Sequence, residues 1–382
     1  MSSDDVQALD DPVERDGKAP VADVLVRDPG HPGAPVEPGT PAAPADPGEP
    51  RFYPSTGNPV PQGARALSVE TSDGLTLRAA LFGATGTPHG TIVLLQGRNE
   101  SIEKYFETAA DLGRAGFVCV AFDWRGQGGS QRLLRDPMRG HVRSFERYGR
   151  DLDAVLDGLV ATDCPEPVTL VGHSMGALVA LLRAPVLPAS VRRLVLLAPL
   201  LRLYGQPVGP RTMTVGLAAL RALGMGRLYA AGGPRPREVP DFATNVLTTD
   251  PARHERNARI VLENFHLALG GPTVTWVYAA LRAMARVASE RHLKRVDIPT
   301  LVVAPGDDVV VSVRQMERLV AAMRNGNIVH VDGARHELLQ ERDRYRAQVL
   351  GAIEAFAARR EPDDEGAEDE ADGRTATDVG TS

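Results

Sequence analysis

The sequence predicts an α/β protein with an eight-stranded, mostly parallel sheet, helices on both faces and a helical cap inserted after the sixth strand. Short apolar runs alternate with segments of helical periodicity, a pattern typical of a parallel sheet covered by helices. The first two runs instead flank a Ser-Asp-Gly turn signal and predict a hairpin. A mostly helical and irregular block, residues 200–290, interrupts the alternation and predicts the cap.

The individual elements follow from local patterns in chain order. Strands are predicted where apolar residues run together between turn residues, at Ala66–Thr71, Leu75–Leu81, Thr91–Leu95, Phe117–Phe122, Val168–Val171, Arg193–Ala198, Thr300–Ala304 and Ile328–Val331. Helices are predicted where apolar residues recur at helical spacing, at Glu103–Ala115, Phe145–Val160, Met175–Arg183 and Arg344–Ala358. Reactive groups are expected at the carboxyl ends of the parallel strands.

The two ends of the chain differ in composition from the rest. Residues 1–50 contain ten prolines, eleven acidic residues and three basic residues, and residues 361–382 contain nine acidic residues and one basic residue. Segments of this kind bury too little apolar surface to offset their chain entropy, so both are predicted to be disordered tails. The core is then assigned to residues 51–199 and 291–360, on either side of the cap.

The net charge of −6 is unevenly distributed, because residues 51–360 contain 39 basic and 29 acidic residues. A basic body between acidic tails favours anionic partners, and peripheral contact with an anionic membrane is one such interaction. Nucleic-acid binding is not predicted, because only 5% of residues are aromatic and they do not alternate with basic ones. The sequence leaves the oligomeric state open.

Several other classes of protein are excluded by composition and motifs. No apolar run reaches the roughly 18–20 residues that span a bilayer, and the acidic N-terminus lacks the features of a signal peptide. We therefore expect a cytoplasmic protein, free or held peripherally at the inner membrane surface. The two cysteines, Cys119 and Cys164, lie in apolar stretches and predict neither disulfides nor a zinc site. No P-loop, dinucleotide motif or metal-ligand spacing is present, so no cofactor or metal is predicted.

The motif Gly-His-Ser-Met-Gly, residues 172–176, lies between a predicted strand and a predicted helix. In this context G-x-S-x-G is typical of a nucleophile held on a sharp turn, where only glycine fits at the flanking positions 172 and 176. Ser174 is therefore the predicted nucleophile. The alternative is an ordinary turn whose serine caps the following helix.

A serine hydroxyl needs a base, normally a histidine oriented by a carboxylate. Of the nine histidines, His336 is the best placed, because it follows the last strand in a turn and comes after Ser174 along the chain. His173 adjoins Ser174 and is expected to point away from the site. The acid is expected after the seventh strand, where spacing does not separate Asp307 from Asp308.

An acyl-transfer site also needs two preorganised N–H donors for the oxyanion. One is expected from the residue after the nucleophile, Met175. The other is expected from the loop after Thr91–Leu95, where Gly97 allows close approach of the backbone and points to the N–H of Arg98. Taken alone, this loop is equally consistent with an ordinary strand-to-helix turn.

Six stretches of the chain resemble the α/β-hydrolase superfamily, and within it the branch of lysophospholipase L2 and monoacylglycerol lipase. They are QGRNESIEKYFE (96–107), FDWRGQGGSQRLLRDPMRGHV (122–142), GHSMGALVAL (172–181), LTTDPARHERNA (247–258), LALGGPTVTW (267–276) and GARHELLQERD (333–343). The resemblance covers about residues 65–355 and implies the α/β-hydrolase fold. The family's G-x-D-x-V-V pattern selects Asp308 as the acid, and its nucleophile and base match Ser174 and His336. One departure is Ala177, where similar sequences often have glycine.

The resemblance implies a serine hydrolase that cleaves a lipid ester, of a lysophospholipid or a monoacylglycerol, through an acyl-serine intermediate. Two other interpretations stay open: a carboxylesterase for small soluble esters, and a non-catalytic binding protein with the same fold. The apolar, arginine-containing segment 211–230 of the cap is consistent with an acyl-chain tunnel, a membrane-surface helix or plain packing on the core.

Overall fold

The computed structural model describes residues 50–204, 208–235 and 238–359, and within these ranges eight strands form one sheet. Along the chain the strands are β1 (Arg65–Glu70), β2 (Thr76–Phe82), β3 (Gly90–Leu95), β4 (Phe117–Phe122), β5 (Val168–His173), β6 (Val191–Leu197), β7 (Thr300–Pro305) and β8 (Gly326–Val331). The predicted tails lie outside the described residues, apart from residue 50.

The order of the strands in the sheet is β1-β2-β4-β3-β5-β6-β7-β8. β2 pairs antiparallel with both β1 and β4, and all the other pairs are parallel, which confirms the predicted hairpin and mostly parallel sheet. Every residue of β3, β4 and β5 is buried, as expected for strands covered on both faces. From β3 the chain goes to β4 on one side, and the connection from β4 then crosses β3 to reach β5 on the other side. β3 and β5 therefore flank a topological switch point, where such sheets bind ligands.

Helices cover both faces of the sheet. They are α1 (Phe106–Arg114), α2 (Glu146–Val155), α3 (Ala161–Asp163), α4 (Met175–Arg183), α5 (Pro210–Ala222), α6 (Pro251–Glu263), α7 (Val274–Val287), α8 (Glu290–Leu293), α9 (Val313–Ala321) and α10 (Asp343–Ala357). A π-helical turn over Leu156–Val160 joins α2 to α3, so the single predicted helix 145–160 is observed with a local irregularity. The sequence did not predict α9, in which only Met316 and Leu319 are buried and Arg314, Glu317 and Arg318 are exposed.

Four helices, α5 to α8, lie between β6 and β7, where the sequence predicts the cap. They differ in how they pack. No residue of α5 is buried, whereas α7 buries most of its length and contributes Trp276, Ala280 and Met284 to the same apolar cluster as the sheet. Within residues 200–290, α7 therefore belongs to the layer that covers the sheet, and α5 lies at the surface. The domain boundaries of the cap stay a prediction.

Candidate active site

Ser174 lies between β5 and α4 with backbone angles of φ 49° and ψ −107°. A non-glycine residue in this region of φ/ψ space is strained by about 1–3 kcal/mol. The backbone is held there by the end of β6 and the loop after it, because the Ser174 N–H donates to Leu197 O over 2.9 Å and the Leu200 N–H donates to Ser174 O over 3.1 Å. The sharp turn predicted from the motif is thus present.

The two glycines of the motif are required by close backbone approach. A Cβ at Gly172 would lie 2.7 Å from the Cα of Ala177, and a Cβ at Gly176 would overlap the carbonyl oxygen of Leu95. Real Cβ atoms do not approach other atoms this closely, so the prediction that only glycine fits at both positions is confirmed. The contact at Gly176 also brings the start of α4 against the end of β3.

The loops after β7 and β8 bring Asp308 and His336 into contact. His336 Nδ1 lies 2.8 Å from Asp308 Oδ2, and both residues are buried. The other carboxylate oxygen of Asp308 accepts the N–H groups of Val310 and Val311 over 2.6 and 3.0 Å, which fixes the orientation of the carboxylate. Asp307 is exposed. The geometry therefore separates the two aspartates that spacing left equivalent.

Because Asp308 occupies Nδ1 of His336, the second ring nitrogen, Nε2, is left for a reacting hydroxyl or substrate. The imidazole lies beside the turn of the nucleophile, since the ring centroids of His336 and His173 are 4.9 Å apart. Ser174, Asp308 and His336 are the groups required for nucleophilic acyl transfer: a hydroxyl, a base and an acid that orients the base.

His173 has a place that the sequence did not predict. Its Nε2 lies 3.2 Å from His336 O, and its Nδ1 lies 3.2 Å from the carboxylate of Glu100. Both neighbours are acceptors, so the ring donates from both nitrogens and is the imidazolium form. Burial lowers the pKa of His173, but the Glu100 carboxylate outweighs burial and the pKa is raised. His173 thus holds the backbone of the loop that carries His336.

Glu100 is the centre of a buried polar network beneath these loops. Its carboxylate accepts the Gly97 N–H, the Tyr105 hydroxyl over 2.7 Å and Lys104 Nζ over 2.7 Å. Burial raises the pKa of Glu100, but the positive charges of Lys104 and His173 lower it by a larger amount, so the pKa lies well below its usual range. Lys104 also pairs with Glu337 over 2.6 Å, so the network reaches the carbonyl of His336 through His173 and the side chain of the next residue through Lys104. The only sequence signal for it was the i,i+4 spacing of Glu100 and Lys104.

The two predicted oxyanion donors lie on segments that contact each other, since α4 begins against the end of β3. Among the described residues, neither the Arg98 N–H nor the Met175 N–H donates to another protein group, whereas the Gly97 N–H is taken by Glu100. Asn99, at φ 64°, turns the chain after Arg98 and donates its N–H to Gln127 over 2.7 Å. Both predicted donors are therefore available to an acceptor at the switch point.

Side chains of the same loop carry polar groups without a protein partner. The amide of Gln96 is buried and unpaired among the described residues, and so is Nε of Arg98. The Arg98 guanidinium lies 5.5 Å from the Trp276 ring and donates to Gly270 O, and burial lowers its pKa to about 10. Buried polar groups of this kind carry a free-energy penalty unless a ligand or water satisfies them.

Residues 50–204, 208–235 and 238–359 contain no group of three or more histidine, cysteine, aspartate or glutamate side chains arranged to hold a metal ion. In the same ranges we find no helix with the length and apolarity that crossing a membrane requires.

Comparisons with known proteins identify the family of the chain. The family model described as serine aminopeptidase, S33, matches residues 86–343. Lysophospholipase L2 of Escherichia coli is 33% identical over 275 residues, covering 69% of this chain and 79% of that protein. A probable lysophospholipase L2 of Haemophilus influenzae is 29% identical over 269 residues, covering 69% of this chain and 82% of that protein.

Among solved structures, the monoacylglycerol lipase of Paleococcus ferrophilus superposes with a TM-score of 0.58 at 24% identity and covers 74% of this chain and 98% of its own. This likeness confirms the predicted α/β-hydrolase fold. Because the family model spans more than half of the chain and a relative above 30% identity covers more than two thirds of it, the chain belongs to the serine aminopeptidase S33 family of α/β hydrolases.

Proposed function

We propose that the protein is a serine hydrolase that cleaves the carboxylic ester of lysophospholipids or monoacylglycerols through an acyl-serine intermediate. The observation that carries the proposal is the buried Asp308–His336 pair beside the strained turn of Ser174. The lipid class is supported by relatives named lysophospholipase L2 and monoglyceride lipase, each aligned over more than two thirds of this chain.

In the proposed mechanism, His336 Nε2 takes the proton from Ser174 Oγ as the oxygen attacks the ester carbonyl. Asp308 holds the imidazole in the required tautomer and stabilises the imidazolium. The N–H groups of Arg98 and Met175 stabilise the oxyanion of the tetrahedral intermediate. His336 then protonates the departing alcohol, and the acyl-serine is hydrolysed by a water that His336 deprotonates.

The surface of the cap supports a peripheral contact with a membrane, which we place at the inner membrane surface as part of the proposal. In the described part of the chain, six of the eight large hydrophobic residues that are most exposed lie within 208–239; they are Val208, Val215, Leu223, Met225, Leu228 and Val239. Clustered exposed apolar residues mark interaction surfaces, and basic residues next to them favour anionic lipid. We propose that this face meets the lipid interface from which the substrate comes.

Replacing the nucleophile tests whether the chain is an enzyme at all. Ser174→Ala should abolish labelling by a fluorophosphonate probe and lower kcat/KM for ester hydrolysis by at least about 10⁴-fold, because the acyl-serine cannot form. Ser72→Ala, at an exposed turn, should label like the unaltered protein. A folded wild-type chain that takes up no probe would favour the non-catalytic binding protein.

Exchanging the two neighbouring aspartates tests the assignment of the acid. Asp308→Asn should lower kcat by roughly 10³–10⁴-fold, because the asparagine amide no longer stabilises the productive tautomer of His336. Asp307→Asn is the matched control, since its side chain is exposed, and should keep kcat within about twofold. Equal losses in the two variants would contradict the role given to Asp308.

A chain-length series separates a lipid hydrolase from an esterase for small soluble substrates. With p-nitrophenyl esters from acetate to dodecanoate, kcat/KM should increase with length, because each buried methylene stabilises the bound acyl chain by about 0.8 kcal/mol. Monoacylglycerol and lysophosphatidylglycerol should both be hydrolysed. A maximum at acetate would instead favour the carboxylesterase.

Vesicle binding tests the membrane contact. The full chain should co-sediment more with phosphatidylglycerol vesicles than with phosphatidylcholine vesicles, and added salt should weaken the difference because it screens surface charge. Leu223→Asp should reduce binding, whereas Val186→Asp, an exposed valine outside the cap, should not. Binding that ignores lipid charge, salt and Leu223→Asp would contradict the proposed contact.

A further inference from the structure

A cavity lined by three arginines lies between the cap and the loop that carries His336. Its volume is about 330 Å³, and its walls are Phe242, Ala243, Asn245, Thr249, Arg335, Arg342 and Arg344. The first four residues lie between β6 and α6, in the range predicted as the cap. Arg335 directly precedes His336, and the other two arginines lie at the start of α10.

The three guanidinium groups bind protein oxygens but no carboxylate among the described residues. Arg335 Nη1 donates to Asn245 O over 2.7 Å, and Arg342 Nε donates to Thr249 O over 2.8 Å. Arg344 Nη2 donates to the Tyr345 hydroxyl over 2.6 Å. Each guanidinium has five N–H donors, so most of the donors around the cavity are unused.

The two acidic residues that flank Arg342 do not neutralise this cluster by direct pairing. Glu341 is fully buried, and its carboxylate accepts the backbone N–H groups of Thr249, Arg335 and Arg342. Asp343 is exposed and pairs with Arg253 over 2.8 Å. Within the described part of the chain, no carboxylate lines the cavity itself. The first N–H groups of the 15-residue helix α10 add partial positive charge at the same place.

The position of the cavity ties it to the proposed active site. Arg335 holds the cap segment at Asn245, and on the other side of His336 the Glu337 N–H donates to Leu247 O over 2.8 Å. The cap segment is therefore fastened to the loop of His336 on both sides of that residue. A ligand in the cavity would contact both the cap and this loop.

We propose that this arginine-lined cavity binds a phosphate group. A phosphate presents acceptor oxygens in several directions, which suits guanidinium groups that come from two separate segments, and Arg pairs with phosphate through two parallel hydrogen bonds. The phosphate has three possible sources: the headgroup of a phosphate-bearing substrate, free phosphate, or phospholipid at the interface. The substrate source rests on the proposed function, whereas the phosphate site itself does not.

The double variant Arg342→Gln/Arg344→Gln tests the proposal, with Arg314→Gln, an exposed arginine on α9 outside the cavity, as the matched control. Two readouts are used on the full chain: calorimetric binding of inorganic phosphate, with acetate as the comparison anion, and KM for lysophosphatidylglycerol relative to KM for monoacylglycerol in neutral detergent micelles. We expect phosphate to bind more tightly than acetate and the double variant to weaken phosphate binding about tenfold.

A rise of about tenfold in the KM ratio of the double variant identifies the substrate headgroup as the source. If phosphate binding is weakened and the KM ratio is unchanged, the site is supported and the source is free phosphate or interfacial phospholipid. Reduced binding of the double variant to phosphatidylglycerol vesicles then identifies phospholipid, and unchanged vesicle binding identifies free phosphate. The proposal would be overturned if the double variant and Arg314→Gln bound phosphate equally well and also had the same KM ratio. Failure of the proposed function is separate, because it appears as absence of fluorophosphonate labelling at Ser174.

Discussion

The strained backbone at Ser174 is the constraint on which the rest of the site depends. A left-handed conformation at a serine persists only when the surroundings enforce it, and here the end of β6 binds the N–H of the residue and the loop after β6 binds its carbonyl. The helix that follows is anchored by burial, since Met175–Leu182 are all buried. Because the turn stands at the switch point between β3 and β5, the position of the hydroxyl determines which other loops can take part.

Three of these loops are coupled by one buried set of charges. Glu100, Lys104, His173 and Glu337 contain two acidic and two basic groups, so their charges balance when His173 is protonated. A buried charge is tolerated when it is paired and hydrogen-bonded, and removal of one partner leaves the other uncompensated. The network joins the loop after β3, the turn of the nucleophile and the loop of His336, so displacement of one loop breaks contacts of the others.

The sequence predicted the parts of this site that depend on local pattern. The hairpin, the parallel strands and the turn at Ser174 follow from apolar runs and glycine positions, and these predictions are confirmed. Spacing alone leaves Asp307 and Asp308 equivalent and the family resemblance selects Asp308; the fold then buries Asp308 and exposes Asp307. The role of His173 was missed for the same reason, since its partner Glu100 is distant along the chain and the contact exists only after the loops have packed.

The distribution of charge adds a functional argument to this geometry. Many arginines of the body are paired with acids, as Arg183 is with Asp153 over 2.7 Å, and the opposite charges of such a pair largely cancel at a distance. The guanidinium groups without a carboxylate partner in the described residues include Arg98, beside the proposed oxyanion donors, and the three that line the cavity near His336.

Positive charge at these positions attracts an anionic substrate from solution or from an interface. A phosphate held equally before and during the reaction lowers KM without raising kcat, because only interactions that strengthen in the transition state accelerate the chemical step. The cavity arginines are therefore suited to the choice of substrate. In the proposed mechanism the rate of acyl transfer depends instead on the strained serine, the ordered imidazole and the two proposed N–H donors at the switch point.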